Sequence, residues 1–444
     1  MADIKADARP EKRLFISLLT RDIPLVAAFL DLLDNSINAA VEPVSPRLKT
    51  AIDYMTVFED PSITPSVNIA LAISKGCVEI SDDAFGISAK TAAEHVFKFG
   101  RADGEHHEAD RLSVYGIGLK RAMFKLGNRI KMRSDHIEGG FDLDLDVSNW
   151  AKDESQPWTF DITPRAPVAK GATGTSIMVT ELYDEVTRRL EDGLFPSQLE
   201  AAISRTYAYY LAKFVSVSVN GKNVEGVSIQ IGGNHTAESF NFGDVTCAIT
   251  AGIGTPEAGV FRDRSSGWFV FCNGRAVISA DKSLLTGWGG GGLPIFQPKH
   301  RPFLGTVFFV SENAEHLPWT TTKSAINEDS EVWQLAKRHM AATGRTVVSF
   351  LDGRYTDEGT EVASKDLQAA TSSSVSVLKA AVTEKRAFVA PKAATAPTTV
   401  RIQYDAQVSQ IKDITNYLKR PSMSGSDVGR YTFNYFLRNE VGEK

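Results

Sequence analysis

The chain has 444 residues, of which 43% are hydrophobic and 23% charged, and its formal net charge at pH 7 is −5. This length allows two or three domains with cores of their own, and the acidic balance argues against a strongly basic nucleic-acid-binding module. No apolar run is long enough to span a bilayer, so we expect no membrane partner. The three cysteines are scattered, and the segment MADIKADARPEKR lacks the apolar core of a signal peptide, so we expect a cytoplasmic protein.

The first predicted helix begins within the sequence RDIPL and runs to about Ala40. Asp22 is predicted to be its N-cap and Pro24 to lie in its first turn, since both residue types favour those positions. The residues before it, 1–20, contain the apolar run RLFISLL. We expect them to form a leading arm or an edge strand.

This helix has an unusual polar stripe. Asp31, Asp34, Asn35 and Asn38 recur at i, i+3, i+4 and i+7, so they share one face. Short carboxylates and amides are uncommon on a solvated helix face because they compete with the backbone for hydrogen bonds. The stripe therefore predicts contact with a ligand or a metal, and the plainer alternative is a solvated face.

The next elements alternate between strands and helices. GCVEIS is predicted to be a strand that ends at Asp82, and SAKTAAEHVFKFG a helix. The polar residues 100–115 have no pattern and are predicted to form a mobile lid. VYGIGLKRAMFKLG predicts a glycine-rich turn that enters a helix. Three later stretches alternate between apolar and polar residues, as the strands of one sheet do: NRIKMRS, FDLDLDVS and GTSIMVTEL.

The second half predicts a further α/β region and a separate C-terminal segment. Residues 198–214 predict an amphipathic bridging helix, strands follow to FVSEN, and SEVWQLAKRHMAATGRTVVSFLDGRY predicts a closing helix. GWGGGGLP is predicted to be a flexible loop. Residues 390–399 form a Pro/Ala/Thr linker before IKDITNYLKR, a predicted helix. Four aromatic residues near the end are expected to dock on the body, a second subunit or a partner: Tyr431, Phe433, Tyr435 and Phe436.

Four stretches in order resemble the nucleotide-binding signature of the GHKL ATPases. They are FLDLLDNSINAA (29–40), EISDDAFGIS (79–88), RLSVYGIGLKRAMFKLG (111–127) and GATGTSIMVTEL (171–182). That superfamily includes gyrase B subunits, heat-shock chaperones, MutL and MORC proteins, and sensor histidine kinases. The third stretch is most similar to the MORC form, in which a tyrosine precedes the glycine and Leu-Lys follows.

The resemblance implies an α+β fold in several parts. Residues 1–190 would form a Bergerat-type α/β sandwich that binds ATP. Residues 191–350 would form a smaller, transducer-like α/β domain. Residues 351–400 would hold a helix and the linker, and residues 401–444 a helical, aromatic interaction segment.

The resemblance assigns the chemistry of hydrolysis to the first helix. Asn35 matches the family's Mg²⁺-ligating asparagine, and Asp31 matches the acid that orients and deprotonates the attacking water. The family residue at that position is usually Glu, and Asp is shorter by one methylene, about 1.5 Å. We therefore expect slow ATP hydrolysis, with Asp34 as the nearest alternative acid on the same face.

The resemblance assigns adenine recognition to the strand ends. Asp82 matches the carboxylate that accepts from the adenine amino group, Gly86 the last glycine of its D-x-G-x-G run, and Thr175 the threonine that supports the aspartate. Ala84 stands where the first glycine of that run is usual. The plainer alternatives are ordinary turn residues beside strands.

The resemblance assigns phosphate binding to the glycine-rich turn, because glycines let backbone N–H groups approach a phosphate. The predicted phosphate-binding residues are Tyr115, Gly116, Ile117, Gly118, Leu119 and Lys120. Ser113 stands where the first glycine of this motif is usual. Lys120 also belongs to a run of cations, LKRAMFKLGNRIKMR, for which a DNA-facing patch and a solvated surface are both open.

The last implied site residue is Lys323, in LPWTTTKSAIN (317–327). It lies where gyrase-, MutL- and MORC-like transducer domains place a lysine that reaches the γ-phosphate, and WFVFCNGRAV resembles the F-V-N-G-R stretch of MutL-type transducers. The plainer alternative is a surface lysine after a strand.

Together these matches imply an ATP-driven clamp that binds Mg²⁺ and ATP, hydrolyses ATP slowly, closes its lid and dimerises, with RLFISLL as an exchanged arm. The alternative is a nucleotide-binding scaffold or switch with little hydrolysis, which works with a separate effector. A sensor kinase is disfavoured because no phosphoacceptor helix pair precedes the fold. The client is open between DNA, a nuclease partner and a protein.

Overall fold

The structure is a computed structural model. It describes residues 10–100, 112, 116–152, 157–211, 213–354, 367, 371, 373–381, 386–390 and 402–441. Residues Met1–Pro391 form one compact unit and Lys392–Lys444 a second. None of the helices in the described ranges combines the length and hydropathy needed to cross a membrane.

The helices of the first unit surround two main sheets. In chain order they are α1 Lys12–Thr20, α2 Leu25–Val41, α3 Ala51–Glu59, α4 Ala89–Thr91, α5 Gly118–Leu126, α6 Val147–Lys152, α7 Asp184–Glu191, α8 Phe195–Thr206, α9 Ala208–Leu211, α10 Glu331–Arg354 and α11 Val377–Ala381. A π-helical turn, Ala92–Val96, continues α4, so the helix predicted for SAKTAAEHVFKFG is present as far as Val96.

The first sheet is predominantly antiparallel. Its strands are β1 Val67–Ile73, β2 Cys77–Asp82, β3 Gly127–Asp135, β4 Phe141–Asp146, β5 Ile162–Pro164, β6 Gly174–Leu182, β7 Val215–Val219 and β8 Lys222–Val224. They lie in the order β5-β4-β3-β6-β2-β1-β7-β8, with only β1 and β7 parallel among these neighbours. Alternate residues of β1 are buried and exposed, as expected for a sheet with one face covered. The mixture of helices with this sheet is an α+β fold, as predicted.

The second sheet is buried more completely. Its strands are β10 Thr236–Phe242, β11 Val245–Ile253, β12 Gly267–Cys272, β13 Arg275–Asp281 and β14 Phe303–Val310, in the order β10-β11-β14-β12-β13. Every residue of β12 and β14 is buried, so both faces are covered. The covering helices are α10, α3 and α11. A small ribbon pairs β9 Gln230–Ile231 with β15 Val375–Ser376.

Several predicted elements are confirmed. The predicted strands NRIKMRS, FDLDLDVS and GTSIMVTEL are β3, β4 and β6, which are neighbours in one sheet, and the closing helix is α10. The proposed boundary at residue 190 stays a prediction, although β7 and β8, from beyond it, pair with the first sheet.

The start of α2 corrects one detail. The helix begins at Leu25, with Pro24 at the N-cap position and no side-chain cap bond. Asp22 does not cap it. Its carboxylate instead accepts from the exposed Arg21 guanidinium. The N-cap prediction for Asp22 was wrong, while the predicted position of the helix was right.

The segment before α2 is helical, so the predicted edge strand is wrong. In α1, Phe15 packs edge-on against Phe99 and Trp158, with ring centroids 5.0 and 5.1 Å apart. Lys12 is buried and its ammonium lies 4.8 Å from the centroid of the Trp150 ring. These aromatic partners are distant in sequence, so the run RLFISLL could not indicate the helix by itself.

The predicted bridging helix is divided in two. Between α8 and α9, Tyr207 leaves helical geometry, with φ −114° and ψ 25°. Its hydroxyl donates to the Leu30 carbonyl at 2.8 Å and to the Asp34 carboxylate at 2.6 Å. The interruption therefore coincides with a buried polar contact to α2.

The second unit contains α12 Val408–Tyr417 and α13 Gly425–Phe436. Ser424 caps α13 by accepting from the Asp427 backbone N–H. The four aromatic residues that the sequence indicates for docking are all exposed: Tyr431, Phe433, Tyr435 and Phe436.

Candidate functional site

A cavity of about 860 Å³ lies between α2 and the first sheet. Its volume is within the range of roughly 300 to 1,000 Å³ that small-molecule and cofactor sites occupy. Six of the predicted site residues line it: Asn35, Asp82, Gly86, Gly116, Leu119 and Thr175. The structure thus brings together residues from four separate stretches of the sequence around one space.

Asp82 lies at the end of β2 and is held on two sides. One carboxylate oxygen accepts from the Ser36 hydroxyl at 2.6 Å, and the other accepts from the Ala84 backbone N–H at 3.1 Å. Burial raises the pKa of Asp82 above the ordinary aspartate value, although these hydrogen bonds and one from the Thr175 backbone favour the charged form. The result is a fixed, partly buried acceptor at the wall of the cavity.

Thr175 supports this corner from the neighbouring strand. It pairs directly with Asp82 across the β2–β6 ladder. Its hydroxyl lies 3.1 Å from the hydroxyl of Ser134, which also accepts from the Ile87 backbone N–H at 2.6 Å. The loop after Asp82 is therefore tied to the sheet at both of its ends.

Gly86 is required by the backbone of this loop. Its φ is +68°, and a Cβ at this position would overlap the carbonyl oxygen of Asp135. Ala84, in contrast, is buried at 3% exposure with its side chain accommodated. The departure from the family glycine at residue 84 is therefore compatible with the fold, whereas one at residue 86 would not be.

Asn35 is oriented by its own helix. Its Nδ2 donates to the Asp31 backbone carbonyl at 2.8 Å. An amide that donates from its nitrogen in this way leaves its side-chain oxygen as an acceptor, which suits a hard cation such as Mg²⁺. Among the residues that line the cavity, Asn35 thus has a side-chain oxygen that would suit a bound Mg²⁺ ion.

The glycine-rich turn leads into α5. Gly116 has φ +61°, and α5 begins at Gly118, directly beside the Asp31 carboxylate. Tyr115 and most of the predicted lid, residues 100–115, lie outside the described residues. Ile117 occupies the N-cap position of α5 and is not among the residues that line the cavity.

The ammonium of Lys120 is hydrogen-bonded to the backbone of the segment before Gly100. Its ammonium donates to the carbonyls of Val96 and Lys98, both at 2.6 Å, and lies 5.5 Å from the centroid of the Phe99 ring. In this structure Lys120 braces the segment that ends at Gly100, and its contact with phosphate stays a prediction.

Asp31 is almost completely buried and has two unequal oxygens. Oδ2 accepts from Arg121 through Nε at 3.0 Å and Nη2 at 2.5 Å. Oδ1 is buried and has no hydrogen-bond partner among the described residues. Burial raises the pKa of Asp31, and the nearby charges of Lys323 and Arg121 only partly oppose this. One oxygen is therefore oriented by a cation, and the other is available to accept a proton.

Asp34, one turn further along the same helix, joins α2 to the second sheet. Oδ1 accepts from Tyr207 and from Arg275 Nε at 3.0 Å, and Oδ2 accepts from the Lys323 ammonium at 2.5 Å. All four side chains are buried. Burial alone would raise the pKa of Asp34, but the charges of Arg275 and Lys323 hold it below its ordinary value.

The two cations of this cluster are delivered by tight turns. Arg275 follows the Asn273-Gly274 hairpin turn, in which both residues have positive φ. Lys323 itself has φ +52°, in the loop between the bridged residues Trp319 and Ile326. Its backbone carbonyl accepts from Arg275 Nη1 at 2.6 Å.

Sequence reasoning missed Arg121, Arg275 and Tyr207. An Asn-Gly pair within WFVFCNGRAV is a strong signal for a hairpin, so the position of Arg275 at a strand start could have been found. No local pattern indicates that Arg121 pairs with an aspartate 90 residues away, nor that Tyr207 interrupts a helix to reach Asp34.

The first part of the chain matches the model of a known protein family. Residues 23–175 match the family model described as "Histidine kinase-, DNA gyrase B-, and HSP90-like ATPase". This segment is about a third of the chain, and it includes α2, Asp82 and Thr175. It is therefore similar to the GHKL superfamily, whose members bind ATP and generally hydrolyse it. No curated protein matches the chain.

The buried cluster predicts a large effect for Asp34→Asn. The change leaves Arg275 and Lys323 buried without a carboxylate, so we expect the free energy of unfolding to fall by about 3 to 5 kcal/mol in urea denaturation. The matched control is Asp22→Asn, in an exposed ion pair with Arg21, which should leave stability almost unchanged. Equal effects of the two variants would contradict the structural role of the cluster.

The same comparison should depend on pH. Because the folded-state pKa of Asp34 lies below its unfolded value of about 3.9, its contribution is present above that value and lost as the pH falls through the folded pKa. The stability difference between wild type and Asp34→Asn should therefore be constant from about pH 5 to 7 and shrink below about pH 4.

Proposed function

We propose that this chain is a Mg²⁺-dependent ATPase of slow turnover that acts as a molecular clamp, in which nucleotide binding drives closure and dimerisation. The observation that supports it most directly is the partly buried Asp82 carboxylate at the wall of the cavity, fixed by Ser36 and the Ala84 backbone N–H. A rigid acceptor in a cavity of this size suits the amino group of adenine.

The proposed ligand runs along α2 from Asp82 toward the start of α5. Its phosphates would lie near the glycine turn at 116–118, where the N-terminus of a helix favours anions. Asn35 would hold the Mg²⁺ ion, which neutralises charge on the phosphates when it is bound. Asp31 would accept the proton of the attacking water through Oδ1, while Arg121 keeps Oδ2 in place.

A second candidate is a nucleotide-dependent switch with little hydrolysis. The Asp31–Arg121 ion pair favours it, because the guanidinium holds one carboxylate oxygen and opposes part of the rise in proton affinity that burial gives Asp31. The short reach of Asp compared with Glu adds to this. Either candidate would signal through Lys323, whose ammonium is buried beside α2 and near Asp31.

Partners are part of this proposal. Homodimerisation and the MORC-like character of the lid are inferred from the GHKL resemblance alone. DNA as a client has less support than the sequence suggested, because Lys120 and Arg121 are buried and Lys125, Arg129 and Arg133 form ion pairs with nearby carboxylates.

Asp82→Asn tests nucleotide binding. The wild type should be stabilised by Mg-ATP, by about 2.7 kcal/mol at a hundredfold excess over the dissociation constant. Asp82→Asn replaces an acceptor with a donor opposite the adenine amino group and should weaken binding about 5- to 150-fold, measured by calorimetry. Asp83→Asn, at the adjacent exposed position, is the control. If ATP stabilises no form of the protein, the proposal is wrong.

Asp31→Asn tests hydrolysis. Asn has nearly the same shape but cannot accept the proton of the attacking water, so phosphate release should stop while ATP binding persists. Asp31→Glu restores the reach of the family residue and should raise the rate. An Asp31→Asn variant that hydrolyses at the wild-type rate would place the base elsewhere. A wild type that binds ATP without turnover would favour the switch.

The clamp predicts a change of mass with nucleotide. A non-hydrolysable ATP analogue should convert monomer to dimer and ADP should not, because only the γ-phosphate would add a contact with Lys323. Lys323→Ala should remove this distinction while binding persists, and Lys75→Ala, an exposed lysine, should not. Light scattering after size exclusion measures each state, and an unchanged mass throughout would leave the monomeric switch.

A further inference from the structure

Asn38 is a buried polar residue of α2. It lies three residues after Asn35, on the same helix face, and is 8% exposed. Its side chain lines the cavity. A buried amide at this position needs partners for both its oxygen and its nitrogen.

The orientation of the amide is fixed by its one partner. The backbone N–H of Leu112 donates to Asn38 Oδ1 at 2.9 Å in a buried hydrogen bond. A backbone N–H can only donate, so the oxygen and not the nitrogen must face Leu112. The nitrogen, Nδ2, is therefore turned away from Leu112, and within the described ranges it has no hydrogen-bond partner.

We propose that Asn38 is a nucleotide-binding residue whose Nδ2 donates to an oxygen of the phosphate chain while its Oδ1 holds the backbone of Leu112. This inference rests on the proposed nucleotide site. Phosphate oxygens are acceptors without protons, so they match an orphaned N–H group. Leu112, which the Asn38 oxygen holds, is four residues before the glycine turn where the phosphates would lie, so we assign the donor to that end of the cavity.

In this role the Asn38 side chain would link the ligand to the backbone of Leu112. Leu112 lies four residues before Gly116, where the glycine turn begins. A single amide would thus touch the ligand with one atom and the chain that enters this turn with the other. Asparagine is suited to this because it combines a donor and an acceptor, whereas aspartate offers only acceptors at neutral pH.

Three variants separate these two contacts. Asn38→Asp keeps an acceptor for Leu112 and removes the donor, and Asn38→Ala removes both. Asn223→Asp, on the exposed strand β8, is the control for added charge. Binding of ADP and of adenosine is measured by calorimetry with EDTA present, because a new carboxylate could otherwise gain affinity through a metal ion.

Both Asn38 variants should bind ADP at least about tenfold more weakly than wild type, the loss expected for a hydrogen bond to a charged group. Adenosine binding should stay within about twofold, since it lacks the phosphates. Hydrogen exchange at the Leu112 amide should stay slow in wild type and Asn38→Asp and become faster in Asn38→Ala, which shows that the aspartate variant retains the backbone contact.

The outcomes distinguish this inference from the proposed function. If wild type binds neither ADP nor adenosine, the nucleotide site itself is wrong. If wild type binds both and the variants bind ADP equally well, the role of Asn38 is wrong and the site stands. Equal loss for ADP and adenosine would overturn the phosphate assignment. Weakening in Asn38→Asp alone would also overturn it, because the cause would then be charge repulsion.

Discussion

The contact on which the rest of the structure depends is the ion cluster around Asp34. The Asp34 carboxylate of α2 accepts hydrogen bonds from Arg275 and Lys323, which lie in the second half of the chain, and from the Tyr207 hydroxyl. Removing such charges from water is costly, and the cost is offset only when every member has its partner. The cluster therefore requires α2, the β12–β13 turn and the Lys323 loop to be in place at the same time.

The polar stripe of α2 contacts two different parts of the structure. Asn35 and Asn38 line the cavity, and Asp31 faces Arg121 on α5. Asp34 is directed to the second sheet. The four residues are on a single rigid helix. A shift of α2 caused by a ligand would therefore also move the Asp34 carboxylate that Lys323 contacts. The stripe thus connects the cavity with a contact between two sheets through one rigid helix.

The sequence predicts this site in part, and the limits are physical. The stripe on α2, the strand that ends at Asp82 and the glycine turn depend on residues close in sequence, so local patterns indicate them. Arg121 and Tyr207 act through partners about 90 and 170 residues away, which no periodicity encodes. Local patterns also do not indicate the contacts of Lys120, whose ammonium donates to the carbonyls of Val96 and Lys98. The helix α1 was missed because its aromatic partners come from three later segments.

The two aspartates of α2 also define an order of protonation. Burial raises the pKa of Asp31, whereas Arg275 and Lys323 hold the pKa of Asp34 low in spite of burial. Of these two carboxylates, Asp31 is therefore the first to take up a proton on acidification, while Asp34, three residues away, stays charged. The helix separates a carboxylate that takes up a proton more readily from one that keeps its charge to lower pH, so acid would neutralise Asp31 before it breaks the contact between α2 and the second sheet.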